Sequence, residues 1–224
     1  MTGAPTKLGQ KSDRMSVTRA HFTPSEVAEI TGLSPEMQRV WRRRGQLPGG
    51  MRSPARFDAT DAAELIVRYE LSRYGVSPSE SAALGRRAAP MVLCFALLDA
   101  DGACEVVGPE PEVSGFLERF ENGHRLAAGL AGAKTLAKYV WRADGDEVEL
   151  VTDLQDAGMA GDFLSGFFVD LSRAGTRLAE VAGRPLITVE MESSEGRTIK
   201  RVRRLTRRRV KNDAAACHGV TNDG

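Results

Sequence analysis

Between Ser34 and Arg56 the chain places Gln38, Arg39, Arg42, Arg43, Arg44, Arg52 and Arg56. Guanidinium groups carry two kinds of recognition chemistry. Each neutralises a phosphate, and each can pair through two parallel N–H groups with guanine O6 and N7; a carboxamide does the same with adenine. The spacing predicts a helix that displays them. Ser34-Pro35 starts it, and Met37, Val40 and Trp41, at i, i+3 and i+4, form its apolar stripe. Gln38, Arg39, Arg42 and Arg43 then point the other way, and Gly45 ends the helix. Ser34 and Arg44, at the two ends, are counted among the candidate contacts.

The elements around this helix have to position it. Thr23-Pro24-Ser25-Glu26 is a helix start: Thr23 caps, Pro24 is pre-set for the first helical position and Glu26 reaches back. That helix carries Val27, Ala28 and Ile30 inward and stops at Gly32. Gln46 to Gly50 and then Met51 to Asp58 make a Gly/Pro-rich loop that brackets Arg52 and Arg56 and closes on Phe57, which reads as a short β wing. A third helix follows, capped by Asp58 or Thr60, with Ala62, Leu65, Ile66 and Tyr69 on its apolar face and Gly75 at its end. Ser77-Pro78-Ser79-Glu80 opens a fourth, expected to reach about Arg87 before Pro90 stops it.

Residues 22–81, roughly a quarter of the chain, resemble the winged helix-turn-helix of MerR-type transcription regulators. Phe22 to Ala28 matches the family's opening with its Glu-Val-Ala. Thr31-Gly32-Leu33-Ser34 matches its Thr-Gly-Val-Ser turn. Arg39-Val40-Trp41, Gly45-Gln46-Leu47-Pro48, Arg56-Phe57 and Gly75 to Glu80 match in order and spacing. Met37 and Gln38 stand where the family has Thr-Leu, and Arg42 where it has Glu, which makes this face more basic. The resemblance implies that residues 35–44 enter a major groove and that residues 49–57 lie on the backbone. Phage excisionases share the same fold, so an architectural factor in recombination is the alternative within DNA binding.

Net charge is +1 over 224 residues, unevenly placed. Residues 19–88 carry 11 basic and 8 acidic side chains, residues 89–196 carry 8 and 19, and residues 197–224 carry 9 and 2. An acidic middle region is repelled by DNA and is expected to act away from it. Cys94, Cys104 and Cys217 are odd in number and form no CxxC pair, which points to reduced thiols, with Cys94 and Cys104 as core residues. No apolar run of about 18 residues and no signal-like N-terminus are read, so neither membrane insertion nor secretion is expected.

The middle region reads as α+β. Met91 to Leu98 suits a buried strand, with Cys104 to Val107 pairing back on it across Asp101-Gly102. Residues 110–121 read as a helix. Leu136 to Trp141 and Glu147 to Thr152 read as a hairpin around Asp144-Gly145-Asp146. Phe163, Leu164, Phe167, Phe168, Leu171, Ala174, Leu178 and Val181 recur at helical spacing, and Leu186 to Met191 reads as a last strand. His124 stands alone, and Gly129 to Thr135 lacks the Gly-Lys-Ser/Thr ending of a phosphate loop, reading instead as a small-residue loop or helix. No catalytic residue, metal or cofactor is expected. In the tail, Lys200, Arg201, Arg203, Arg204, Arg207, Arg208 and Arg209 are candidate phosphate contacts.

The expected organisation is a disordered segment 1–18, a mainly α winged helix-turn-helix over 19–88, an acidic α+β domain over 90–192 (an antiparallel sheet with two helices), and a basic tail over 193–224, in which Arg197 to Lys211 reads as a frayed helix that orders on a polyanion or as a solvated arm and residues 212–224 as disordered. The expected function is that of a sequence-specific regulator of double-stranded DNA, cytoplasmic and nucleoid-associated. Dimerisation is assigned to residues 91–191, because Pro90 cuts short any helix after the wing. That region dimerises, takes a small-molecule effector or meets a protein partner. An adaptor acting through the acidic region is the alternative from another class.

Overall fold

The computed structural model describes residues 15–48, 56–118, 123–143, 148–154, 166–191 and 199–202. The chain begins with strands β1 (Met15–Arg19) and β2 (His21–Phe22), followed by helices α1 (Pro24–Thr31) and α2 (Pro35–Arg43). The start of α1 is the expected capping box: Thr23 Oγ1 accepts from the Glu26 N–H, and the Glu26 carboxylate accepts from the Thr23 N–H at 2.7 Å. Gly32 ends α1 at φ 83°. A Cβ there would stand 2.9 Å from the Tyr69 ring, so this position needs glycine for its backbone and for its space. Ser34 caps α2, its Oγ accepting from the Met37 N–H.

Strand β3 (Phe57–Asp58) pairs antiparallel with β2, and Asp58 caps α3 (Ala59–Arg73) in a reciprocal box with Asp61. Residues 49–55, the body of the expected wing, lie outside the described residues. Ser77 caps α4 (Pro78–Asp99), a 22-residue helix that runs straight through Pro90. This corrects both the stop at Pro90 and the strand at Met91 to Leu98. Proline removes one N–H bond, to the carbonyl of Arg86, and the helix continues because its apolar side chains beyond Pro90 are buried between other helices. Met91, Val92, Leu93, Cys94, Ala96, Leu97 and Leu98 are all buried. A helix apolar on every side is a core helix, and a continuous apolar run cannot distinguish it from a central strand. Among the described residues α4 alone has the length and apolar composition of a bilayer span, against the expectation of no such run. Here it packs against α3 on one side and, further along the chain, against two later helices.

Beyond α4 come β4 (Cys104–Pro109), α5 (Glu110–Glu118), α6 (Gly123–Ala131), β5 (Tyr139–Ala143), β6 (Glu149–Val151), β7 (Gly166–Asp170), α7 (Leu171–Ala182), β8 (Ile187–Met191) and β9 (Ile199–Val202). One sheet has the order β1-β8-β4-β9 and another β6-β5-β7. The fold is α+β. Cys104 to Val107 does form a strand, but it lies parallel to β8 and antiparallel to β9 rather than in a hairpin with residues 91–98. The expected hairpin of β5 and β6 is present, and Val113 and Phe116 of α5 are buried.

Three further expectations are corrected. Residues 15–18, expected to be disordered, form most of β1 and pair with β8. Residues 199–202, read as part of a frayed helix or a solvated arm, form β9 on the far edge of the same sheet. The long helix from Phe163 is a strand followed by a helix. Phe167 and Phe168 alternate in β7, and Asp170 then caps α7 through the Ser172 and Arg173 N–H groups. Phe163 and Leu164 lie outside the described residues.

One connected apolar core runs from Phe22 through Trp41, Leu65 and Val92 to Val189, across the boundary expected near residues 88–90. At its centre α4 and α7 touch backbone to backbone. A Cβ on Gly175 would lie 2.5 Å from the Val92 carbonyl oxygen and 2.7 Å from the Ala96 nitrogen. Gly175→Ala should therefore destabilise the chain by about 1–3 kcal/mol. Gly129→Ala, on an exposed helical site with nothing near, should leave stability unchanged or raise it. Thermal melts of the two variants check this, and equal melting of Gly175→Ala and wild type would refute the close approach.

Cys94 and Cys104 are buried and free. Burial, with Asp99 beside the first and Glu105 beside the second, pushes their thiols up to about 11 and about 12. In a Cys217→Ser variant a thiol reagent at pH 8 should find no reactive sulfur until the chain is unfolded, and both sulfurs afterwards.

Candidate nucleic-acid interface

Helix α2 is mounted by its inner face. Trp41 is 5% exposed and joins the main core, while Val40 is half-buried. Met37, expected beside them, is exposed, and Gln38, expected outward as an adenine reader, is buried in its place. The Gln38 Nε2 donates to the carbonyls of Pro24 and Leu33, both at 2.9 Å. Residues 37 and 38 flank the direction of Trp41 almost equally at roughly 100° per residue, so periodicity admits either. The carbonyl of Leu33, in the α1–α2 turn, is satisfied by an amide and not by a thioether, and that decides it. Gln38 ties α2 to the start of α1 and to the turn.

Arg42 is also drawn in. It is half-buried, with its guanidinium carbon 6.0 Å from the centre of the Phe57 ring in β3. Arg39, Arg43 and Arg44 are exposed, as expected. Arg39 and Arg43 lie one turn apart and project from the same side. Ser34 is exposed, with its hydroxyl engaged in the cap. Arg56 is exposed immediately before β3, and Arg52 lies outside the described residues. In the tail, Lys200 and Arg201 belong to β9, opposite Gly108 and Val107, and Arg201 is exposed. Arg203, Arg204, Arg207, Arg208 and Arg209 lie outside the described residues.

One positioning residue escaped the sequence reading. Arg184, after α7, donates to the His21 carbonyl and to Glu26 Oε1, both at 2.8 Å, and its guanidinium lies 5.0 Å over the Phe22 ring. It fastens the α+β body to the capping box of α1 and to the β2–β3 ribbon. A partner 158 positions away leaves no local signal. The hydrogen bonds from Thr23, and then Arg184, hold the Glu26 carboxyl below its ordinary value of 4.5. Stability from this carboxylate is complete above 4.5 and is lost as the pH falls through the lowered value. Glu26→Gln should melt below wild type at pH 7, and the gap should close in acid. A gap that stays constant down to the acid transition would disprove the linkage.

His124 is exposed on α6, and Gly129 to Ala131 form the end of that helix. Among the described residues no cluster of three or more His, Cys, Asp or Glu side chains is arranged to hold a metal ion. A scan against protein-family models finds no match to this chain, and a search of curated proteins finds none.

Proposed function

We propose that the chain is a sequence-specific, double-stranded-DNA-binding transcription regulator built on a MerR-like winged helix-turn-helix. In this reading α2 enters the major groove and residues 49–57 lie along the backbone. The observation that carries it is the exposed set Arg39, Arg43 and Arg44 on a helix whose opposite side is fixed by Trp41 and Gln38. A reading helix needs both properties: free cations outward and no freedom to roll. The basic tail adds phosphate contacts, and the acidic middle region faces away from the duplex. Residence with DNA in the cytoplasm follows from the same reading.

The homodimer belongs to this proposal on grounds of reach. A helix of nine residues is about 13.5 Å long and covers about four base pairs. Two copies reading inverted half-sites about one helical turn apart give a site long enough to be distinctive. The sequence feature that first assigned the dimer to residues 91–191, a stop at Pro90, is absent from the structure.

Selection of duplexes by the full chain from a random pool, followed by titration at fixed salt, tests the function. Enrichment of a defined, two-fold symmetric sequence over scrambled DNA is the expected result. Uniform, salt-labile binding to every duplex would reject sequence-specific regulation. Sedimentation at tens of micromolar tests the dimer.

A further inference from the structure

Arg68 is the largest side chain wholly buried among the described residues, 1% exposed in the middle of α3. One turn earlier stands Glu64, 7% exposed, and their Nη1–Oε1 distance is 2.9 Å. The guanidinium lies over the ring of Trp41, its carbon 5.0 Å from the centre. On the other side α4 supplies Gly85, where a Cβ would stand 2.6 Å from Arg68 Cγ and 3.1 Å from Glu64 Cγ. Three helices are thus fitted round one ion pair: α2 roofs it, α3 carries it, and α4 leaves it room.

Such a pair is a poor choice for stability alone. Burial drives the Glu64 carboxyl above, and the Arg68 guanidinium below, its ordinary value, each countered by the other. Apolar side chains of the same volume hold a junction as well or better. What they lack is direction. Aliphatic packing tolerates rotation of a short helix on its support, whereas a planar cation held by one carboxylate and pressed on one indole face admits one arrangement. The pair sits directly under the helix that bears Arg39 and Arg43.

We infer that Arg68 and Glu64 are positioning residues that fix the roll of α2 through Trp41 and so set which bases the exposed arginines meet. The inference rests on the function proposed above. It assigns the pair to specificity and leaves overall affinity for DNA to the surface cations.

The test uses the full chain, the duplex selected by wild type and a scrambled duplex, at one salt concentration. Arg68→Met keeps an unbranched side chain without charge. It leaves the buried Glu64 carboxyl without its cation and should melt below wild type; while folded it should bind scrambled DNA within about twofold of wild type and lose about tenfold or more in the ratio of selected to scrambled binding. Arg68→Lys keeps the charge and the reach to Glu64 and should recover part of that ratio. Should Arg68→Met fail to fold, Glu64→Gln serves in its place, leaving the cation without its carboxylate, and the same fall in the ratio is expected. A folded variant that keeps the wild-type ratio overturns the inference while the function stands. A fall in which scrambled and selected binding decline together reads as general loss of the domain and also overturns it. A wild-type chain that selects no duplex removes the function, and this inference with it.

Discussion

Trp41→Ala should lower the stability of the chain by about 3–5 kcal/mol, one of the largest losses expected from any single truncation. Two effects add. The indole is 5% exposed inside the main core, so its removal leaves a cavity in a packed site. It also forms the roof over Arg68, and without it a buried guanidinium loses one of its two supports. Urea unfolding is the measurement. The midpoint should fall while the slope stays that of wild type, because the same surface is exposed on unfolding. Trp141 provides a comparison within the same protein: it belongs to a separate, smaller cluster with Val151. Its truncation should cost less, since fewer neighbours lose their packing. An unchanged midpoint for Trp41→Ala would put the indole at the surface and detach α2 from its support.

The parts of this fold that were legible in the sequence are those governed by neighbours in the chain. Thr23, Ser34, Asp58 and Ser77 all cap the helices they were expected to start, because a cap needs only a hydroxyl or carboxylate two or three residues before an N–H. The parts that were not legible depend on distant partners. Met91 to Leu98 is equally suited to a buried strand and a buried helix; α3 and α7 packed around it decide for helix. β1 and β9 are short and polar, with Val17 and Ile199 among few apolar residues, and they are strands because β8 and β4 present free edges. Nothing within residues 1–18 or 193–224 announces an edge waiting so far along the chain, β8 for the first and β4 for the second.

The candidate site divides in the same way. Helical spacing was sufficient to place Trp41 inward and Arg39 and Arg43 outward. It failed for Gln38 and Arg42, which lie at the margins of the stripe, where an unsatisfied carbonyl or a nearby ring can pull a polar side chain in. It was blind to Arg184 and to the pair of Arg68 with Glu64, whose roles come from neighbours on other helices. Gln38, Arg42 and Arg43 were expected to face solvent on α2 together with Arg39; the structure leaves Arg39 and Arg43 exposed, with Arg44 beyond them.

Arg39→Ala should weaken binding to the selected duplex by about 1–3 kcal/mol, which is roughly five-fold to over a hundred-fold. Arg39 is exposed, lies in the middle of α2 and has Arg43 one turn beyond it, so it is the cation best placed to reach a base edge when α2 enters a groove. A guanidinium earns specificity by presenting two N–H groups to guanine, whereas an ammonium is a point charge. Arg39→Lys should therefore retain most of the binding to scrambled DNA while losing much of the preference for the selected site. Both variants should melt like wild type, since the side chain touches no core. Gln38→Ala gives the opposite pattern. Its amide spans α1 and α2 from inside and helps to fix the roll of α2, so its loss should lower the melting temperature and weaken the preference for the selected duplex evenly, without relaxing the choice at any single position. Fluorescence anisotropy titrations of the three variants on selected and scrambled duplexes separate these effects. If Arg39→Ala binds the selected duplex as wild type does at the same salt, α2 is not the reading helix. If Gln38→Ala instead relaxes the choice at one adenine with unchanged stability, the amide reads DNA and its inward bonds are not what holds it.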